Sequence, residues 1–279
     1  MINFASENSI RMRFLLYMRF PAFLILLFLG SLHIFPAGKN VGDGKVVAVL
    51  GDSMTWIGGE DFSGPCGWTS HFFRLLGDSV VGGTLHSYAR SGATWTNTRQ
   101  TKADTEAYSE VLDDDNVIFN QMLRLEKDSV TPDVVIMFAG TNDAWFSDSR
   151  PGLFDSVPPI RDIEGVSPAD VTTLKGSVNL VCERVSRDFP ESEVVIVTPP
   201  YSRKIADSLI EKVGECLNEV AQERGVKCIR GDLLFGFERE RENSAEPLTA
   251  DGVHPNEAGA LKIAEIIFNS LRGSLSKDN

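Results

Sequence analysis

Cysteine is scarce in this chain, with four residues in 279. Cys66, Cys182, Cys216 and Cys228 include no close pair, which excludes a zinc finger or ribbon built on short Cys-x-x-Cys steps. A chain of this length does not need disulfide staples, so the thiols are expected to be mostly free and buried, with at most one bridge. Positive charge is short as well. Lysine and arginine number 27 against 39 aspartates and glutamates, a formal net charge of −12, and nucleic-acid binding needs a basic face that this balance does not supply. Internal repeats and dividing linkers are absent. The first glycine-bearing loop also lacks the glycine-lysine pattern of a phosphate cradle, which argues against a nucleotide or flavin role.

Long apolar runs are confined to one place. Arg11, Arg13 and Arg19 precede a stretch from Phe20 to Phe35 made mostly of Leu, Ile, Phe and small residues. Small residues follow near Ala37 and Gly38, which is the plan of a secretory leader. Phe35 fits the small-x-small cleavage rule poorly, so an uncleaved N-terminal anchor is the other reading, and Met12 is an alternative start. Both readings predict an exported protein: periplasmic, envelope-associated or secreted. Residues 1–37 are therefore set apart from a single domain over 38–279. Without the leader the net charge is −14, so only an uncleaved leader would hold the protein to a membrane.

What remains is 42% hydrophobic over the whole chain, enough for a substantial core. Short valine-rich runs alternate with helical spacing. Val46–Leu50, Thr84–Ala89, Asp133–Phe138, Glu193–Thr198 and Val226–Arg230 read as five strands. Helices are expected over Trp68–Leu76, Asn116–Leu125, Pro168–Phe189, Ile205–Arg224 and from Asn256 to about Leu271. In the third, Val171, Leu174, Val178, Val181 and Val185 fall on one stripe. Residues 95–115 read as an acidic excursion, 144–168 as a long surface loop, and Glu238–Glu242 as a solvated charge run. The alternation predicts an α/β fold, with a mainly five-stranded parallel sheet covered by helices on both faces.

Several strand ends carry polar groups suited to chemistry, and in such sheets ligands collect outside the carboxyl ends of the strands. The first strand runs into Gly51-Asp52-Ser53. Taken alone, that triplet is also an ordinary turn. The second strand runs into Gly92 and the third into Gly140-Thr141-Asn142-Asp143, while a late turn holds Asp251 and His254. Attack by a hydroxyl on an ester needs a base, a carboxylate to orient it, and donors for the oxyanion. Ser53, His254 and Asp251 supply the first three roles. The Ser53 and Gly92 N–H groups and the Asn142 side chain supply the donors. Asp52 is expected to support the serine loop; His71 and His86 have no partner pattern.

These blocks, in this order, resemble the SGNH hydrolases, also called the GDSL esterase and lipase family. Gly51-Asp52-Ser53, Gly92, Gly140-Thr141-Asn142-Asp143 and Asp251-Gly252-Val253-His254-Pro255 match its four blocks across nearly all of residues 38–279. The resemblance implies a flavodoxin-like three-layer α/β/α sandwich. It further implies no cofactor or metal, and hydrolysis of an ester or thioester through an acyl-enzyme.

Trp56, Trp95 and Trp145 each lie three residues past Ser53, Gly92 and Asn142. They are expected to line a cleft that stacks on a sugar ring, although tryptophan is also a common packing residue. On that basis an exported deacetylase acting on a glycan or small-molecule ester is preferred. The alternatives are a lipase or thioesterase for longer chains, an O-acyltransferase, and a carbohydrate-binding protein on an inactive scaffold.

Overall fold

β-Branched residues pack well on a pleated surface, and unbroken runs of them suit strands covered on both faces. In the computed structural model five such runs form one sheet. The structure describes residues 44–56, 67–79, 83–96, 117–158, 160, 162–166 and 171–275, all within one compact unit, Asn40–Asn279. The leader, Cys66 and most of the acidic excursion lie outside the described residues.

The strands are β1 (Val46–Gly51), β2 (Thr84–Ser87), β3 (Val134–Phe138), β4 (Glu193–Val197) and β5 (Lys227–Ile229). Their order is β2-β1-β3-β4-β5, and every neighbouring pair is parallel. Val49 sits opposite Ile136, and Ile136 opposite Val195. Successive side chains point to opposite faces. Ala48, Leu50, Val135 and Met137 therefore enter one core, and Val47, Val49, Ile136 and Phe138 the other.

Three helices cover the first face: α2 (Ile118–Lys127), α4 (Leu174–Asp188) and α5 (Asp207–Arg224). Met122, Val181 and Leu217 are their fully buried contributions. The second face is covered by α1 (Trp68–Ser79) and α8 (Glu257–Leu275), which pack against each other. Phe72 and Ile267 lie in that core. The result is the expected α/β/α sandwich. Short helices α3 (Thr141–Trp145), α6 (Gly231–Leu234) and α7 (Arg239–Glu242) sit between the long elements. Among the described residues no helix is long and apolar enough to cross a membrane. Cys182, Cys216 and Cys228 are free thiols.

Four expectations need correction. Helix α4 starts at Leu174, not near Pro168, because the Thr173 hydroxyl accepts the Gly176 N–H at 3.2 Å and so caps the helix there. Helix α1 runs through Gly77 to Ser79, beyond the expected end at Leu76. The segment after Asn142 is not simply a surface loop. It opens with α3, and Leu153 is buried and accepts the Leu174 N–H at 2.8 Å. Finally, the charge run at 238–242 is not all solvated, since Glu242 is buried.

Because the sheet is parallel, β1, β2 and β3 end on one edge. The chain leaves β1 toward β2 on one side, and the later strands lie on the other. The gap between the ends of β1 and β3 is thus the topological switch point, where a crevice opens.

Ile136 lies on the middle strand, fully buried. Ile136→Ala should lower the unfolding free energy by about 2–5 kcal/mol in urea titration. A loss below about 1 kcal/mol would contradict its close packing.

Candidate active site

The end of β1 is braced by one side chain besides its sheet partners. Gln121 on α2 accepts the Gly51 N–H at 2.8 Å through Oε1 and donates Nε2–H to the Gly51 carbonyl at 2.9 Å. The chain then turns tightly, with the N–H groups of Thr55 and Trp56 both donating to the Asp52 carbonyl. Ser53 stands in that turn, half-buried.

Its hydroxyl is 3.0 Å from Nε2 of His254. Nδ1 of the same ring is 2.9 Å from Oδ2 of Asp251. The other carboxylate oxygen, Oδ1, accepts the Val253 N–H at 2.9 Å and the His254 N–H at 2.8 Å. This explains the Asp-x-x-His spacing: one oxygen closes the turn while the other meets the imidazole. Burial would raise the Asp251 pKa, but the N–H groups of His254 and Val253 and the imidazole outweigh it and bring the carboxyl down to about 2. Asp251 is therefore ionised throughout the neutral range.

The turn itself is anchored from behind. Glu242, buried at the end of α7, accepts the N–H groups of Leu248 and Thr249 at 2.9 and 3.2 Å and also binds the Thr249 hydroxyl. On the other side, the Ser202 hydroxyl and the Arg203 N–H both donate to the Gly252 carbonyl, at 3.0 and 2.8 Å. Gly252 has φ +90, and a Cβ there would come within 2.7 Å of Arg203 Nε. No other residue fits this position without strain.

The expected oxyanion donors come from neighbouring strand ends. Asn142 lies in the first turn of α3, and its Nδ2 donates to the Ala93 carbonyl at 3.0 Å, which ties it to the residue after Gly92. Gly140, with φ +129, lets the chain turn from β3 into α3, where a Cβ would strike Val213 at 2.8 Å. Asp143 is fully buried and accepts the Trp95 and Thr96 N–H groups at 2.9 and 3.3 Å. Asp52 is buried beneath the serine turn. Its Oδ1 accepts the Met54 N–H at 2.9 Å, while Oδ2 has no hydrogen-bond partner; the N–H groups of Thr141 and Gly140 are near enough to favour the ionised carboxyl. Burial, with a smaller push from Asp143, raises its carboxyl to about 7 against the Met54, Thr141 and Gly140 N–H groups.

The tryptophans divide. Trp145 is 43% exposed and Trp56 is half-buried, so both have surface to offer. Trp95 does not line the cleft. It is 1% exposed and its indole N–H donates to the Ala139 carbonyl at 3.0 Å, so no face is left for a sugar. Sequence reasoning missed Gln121, Glu242 and Arg150. Gln121 alone left a signal, as a polar residue at the stripe position between Val117 and Leu125. Among the described residues no group of three or more His, Cys, Asp or Glu side chains is placed to hold a metal ion.

Hydroxyl, imidazole and carboxylate in series at the switch point of an α/β/α sandwich is the arrangement that acyl hydrolases built around a serine require. The chain belongs to the GDSL-like lipase/acylhydrolase family, whose model matches residues 49–261. It is 26% identical over 252 residues to an acetylxylan esterase of Xylanibacter ruminicola, a match covering 86% of this chain and 45% of that protein. The chain thus spans less than half the length of that relative. Among solved structures it is similar to a catalytic mutant of an acetylxylan esterase from Geobacillus stearothermophilus (TM-score 0.55, 18% identity, 86% of this chain and 100% of that one). It is also similar to a lipase/acylhydrolase from Enterococcus faecalis (TM-score 0.53, 16% identity, 84% and 99%). At these identities the structural likeness is one of fold.

Two expectations follow. Gln121→Leu strands the buried Gly51 N–H and should cost about 1–3 kcal/mol in urea unfolding. An unchanged midpoint would remove the clamp. A raised carboxyl holds its proton in the folded state where the unfolded chain has released it, so Asp52 makes stability fall as pH rises from about 4 to 7, by at most about 4 kcal/mol. Asp52→Asn should therefore narrow the gap between urea midpoints at pH 5 and pH 8. An equal gap in the variant would show that Asp52 does not titrate there.

Proposed function

We propose that this protein is an exported serine esterase that removes short acyl groups, foremost acetyl, from carbohydrate. The observation that carries the reading is the unbroken series Ser53 Oγ, His254 Nε2, His254 Nδ1 and Asp251 Oδ2, with contacts of 3.0 and 2.9 Å. Export rests on the basic and apolar pattern of residues 11–38.

The chemistry runs in two halves. His254 Nε2 takes the proton from Ser53 as Oγ attacks the ester carbonyl, and Asp251 stabilises the imidazolium through Nδ1–H. The carbonyl oxygen becomes an oxyanion held by the Ser53 and Gly92 N–H groups and Asn142 Nδ2, each worth about 3 kcal/mol in the transition state. As the tetrahedral intermediate collapses, the ester C–O bond breaks and His254 returns the proton to the departing sugar hydroxyl. Water then attacks the acyl-Ser53 ester, with His254 as base again. Carboxylic acid leaves and Ser53 is regenerated.

The acetyl and carbohydrate preference is supported by two features. Trp145 and Trp56 offer indole surface three residues from Asn142 and Ser53, and indole faces suit sugar rings. The similarity to acetylxylan esterases points the same way.

Acetyl, butyryl and octanoyl aryl esters, assayed with the full chain beside Ser53→Ala and Asn142→Ala, test the reading. Ser53→Ala should lose at least about 10³-fold in kcat, and Asn142→Ala about 10²–10³-fold. Acetyl should turn over fastest. A clear octanoyl preference would favour a lipase, acyl transfer to a sugar would mark a transferase, and a folded wild type without ester turnover would sink the enzyme reading. On an acetylated glycan, Trp145→Ala should raise KM severalfold with kcat unchanged; an unchanged KM would remove the stacking role.

A further inference from the structure

Arg150 is left unexplained by the triad. It is the only buried lysine or arginine among the described residues. Its side chain is 6% exposed and faces Asp143, which is 0% exposed. Burying an ion pair demands good geometry and further hydrogen bonds, so a pair kept here calls for an explanation.

The partners of Asp143 supply one. Its Oδ2 accepts the Trp95 N–H at 2.9 Å, and Oδ1 accepts the Thr96 N–H at 3.3 Å and the Thr96 hydroxyl at 2.9 Å. Trp95 and Thr96 continue the loop that begins at Gly92, and Asp143 directly follows Asn142. One carboxylate therefore joins the segments that carry two of the three oxyanion donors. Arg150 Nη1 spans the same junction, reaching Asp143 Oδ1 at 3.3 Å and Thr96 Oγ1 at 2.9 Å. Its guanidinium lies 5.8 Å from the centre of the Phe146 ring.

The junction has a cost. A buried anion behind the hole repels the oxyanion that forms in front of it, and low dielectric makes the repulsion strong. Arg150 is the buried cation placed to offset this charge.

We infer that Arg150 is a positioning residue of the oxyanion hole, which locks the Gly92 loop to the Asn142 helix and neutralises Asp143 so that negative charge can develop on the substrate. The inference rests on the roles given above to Ser53, Gly92 and Asn142. The two effects separate experimentally, because loss of the guanidinium leaves Asp143 charged and unopposed, whereas removal of both charges does not.

The test uses the full chain and p-nitrophenyl acetate, with wild type and Ser53→Ala measured first. Wild type without Ser53-dependent turnover would sink the functional reading itself. Given that turnover, Arg150→Met should lose roughly 10- to 100-fold in kcat with KM within about twofold. Arg150→Lys should restore most of the loss. The double variant Arg150→Met/Asp143→Asn should be about tenfold more active than Arg150→Met alone, because the uncompensated charge is gone. Thermal unfolding and stoichiometric labelling of Ser53 by a fluorophosphonate check that each variant is folded. If Arg150→Met does not fold, Arg150→Gln replaces it in the same comparison. Wild-type kcat in Arg150→Met, a double variant no better than the single one, or failure of every variant to fold would each overturn the inference.

Discussion

The contact between Ser53 Oγ and His254 Nε2 joins residues 201 positions apart in the chain. Little else in the architecture makes sense without it. Proton transfer between two such atoms requires hydrogen-bond distance, and to keep that distance the end of β1 and the turn before α8 must be held in register by everything between them. The sheet provides the first support. β1 is paired on both sides and buried on both faces, so its last residue has nowhere to drift, and Gln121 pins the final peptide from the neighbouring layer. The second support is the docking of α8 against α1, which brings the Asp251–His254 turn over the switch point.

Buried charge is used where the backbone cannot brace itself. Irregular segments lack the ladder bonds of helices and sheets, so their N–H groups need other acceptors. A carboxylate offers several lone pairs at one point and can gather N–H groups from two strands of loop. Glu242 does this for the residues ahead of Asp251, and Asp143 for the residues after Gly92. Each of these two loops is thus drawn around a buried acid. Asp251 uses the same device within its own turn, with one oxygen spent on structure and the other left for the imidazole.

The strands were legible because buried parallel strands demand runs of Val and Ile, and the runs at 46–50, 134–138 and 194–197 allow little else. The Asp251–His254 pair was legible for a related reason: Asp-x-x-His is a local geometry, set by one turn. What the sequence hid is what depends on distant partners. α3 is five residues long, too short for periodicity to mark, and it exists because Gly140 turns the chain at the edge of the sheet. Glu242 lies in a charge run whose other members are exposed, so composition gave no cue to its burial. Trp95 has the same offset from Gly92 as Trp145 has from Asn142, yet it turns inward. An offset along the chain does not say which side of a loop faces solvent.

The two ends of the sheet are β2, with four residues, and β5, with three. An unpaired strand edge is a template on which another chain can add a strand, and the hazard grows with the length of flat edge on offer. Here the outer edges are barely longer than a single turn of pairing. β5 also opens with Lys227, whose ammonium pairs with Glu193 of the neighbouring β4. The long, adhesive valine strands are all interior. An arrangement of this kind leaves little flat edge on which a further strand could add.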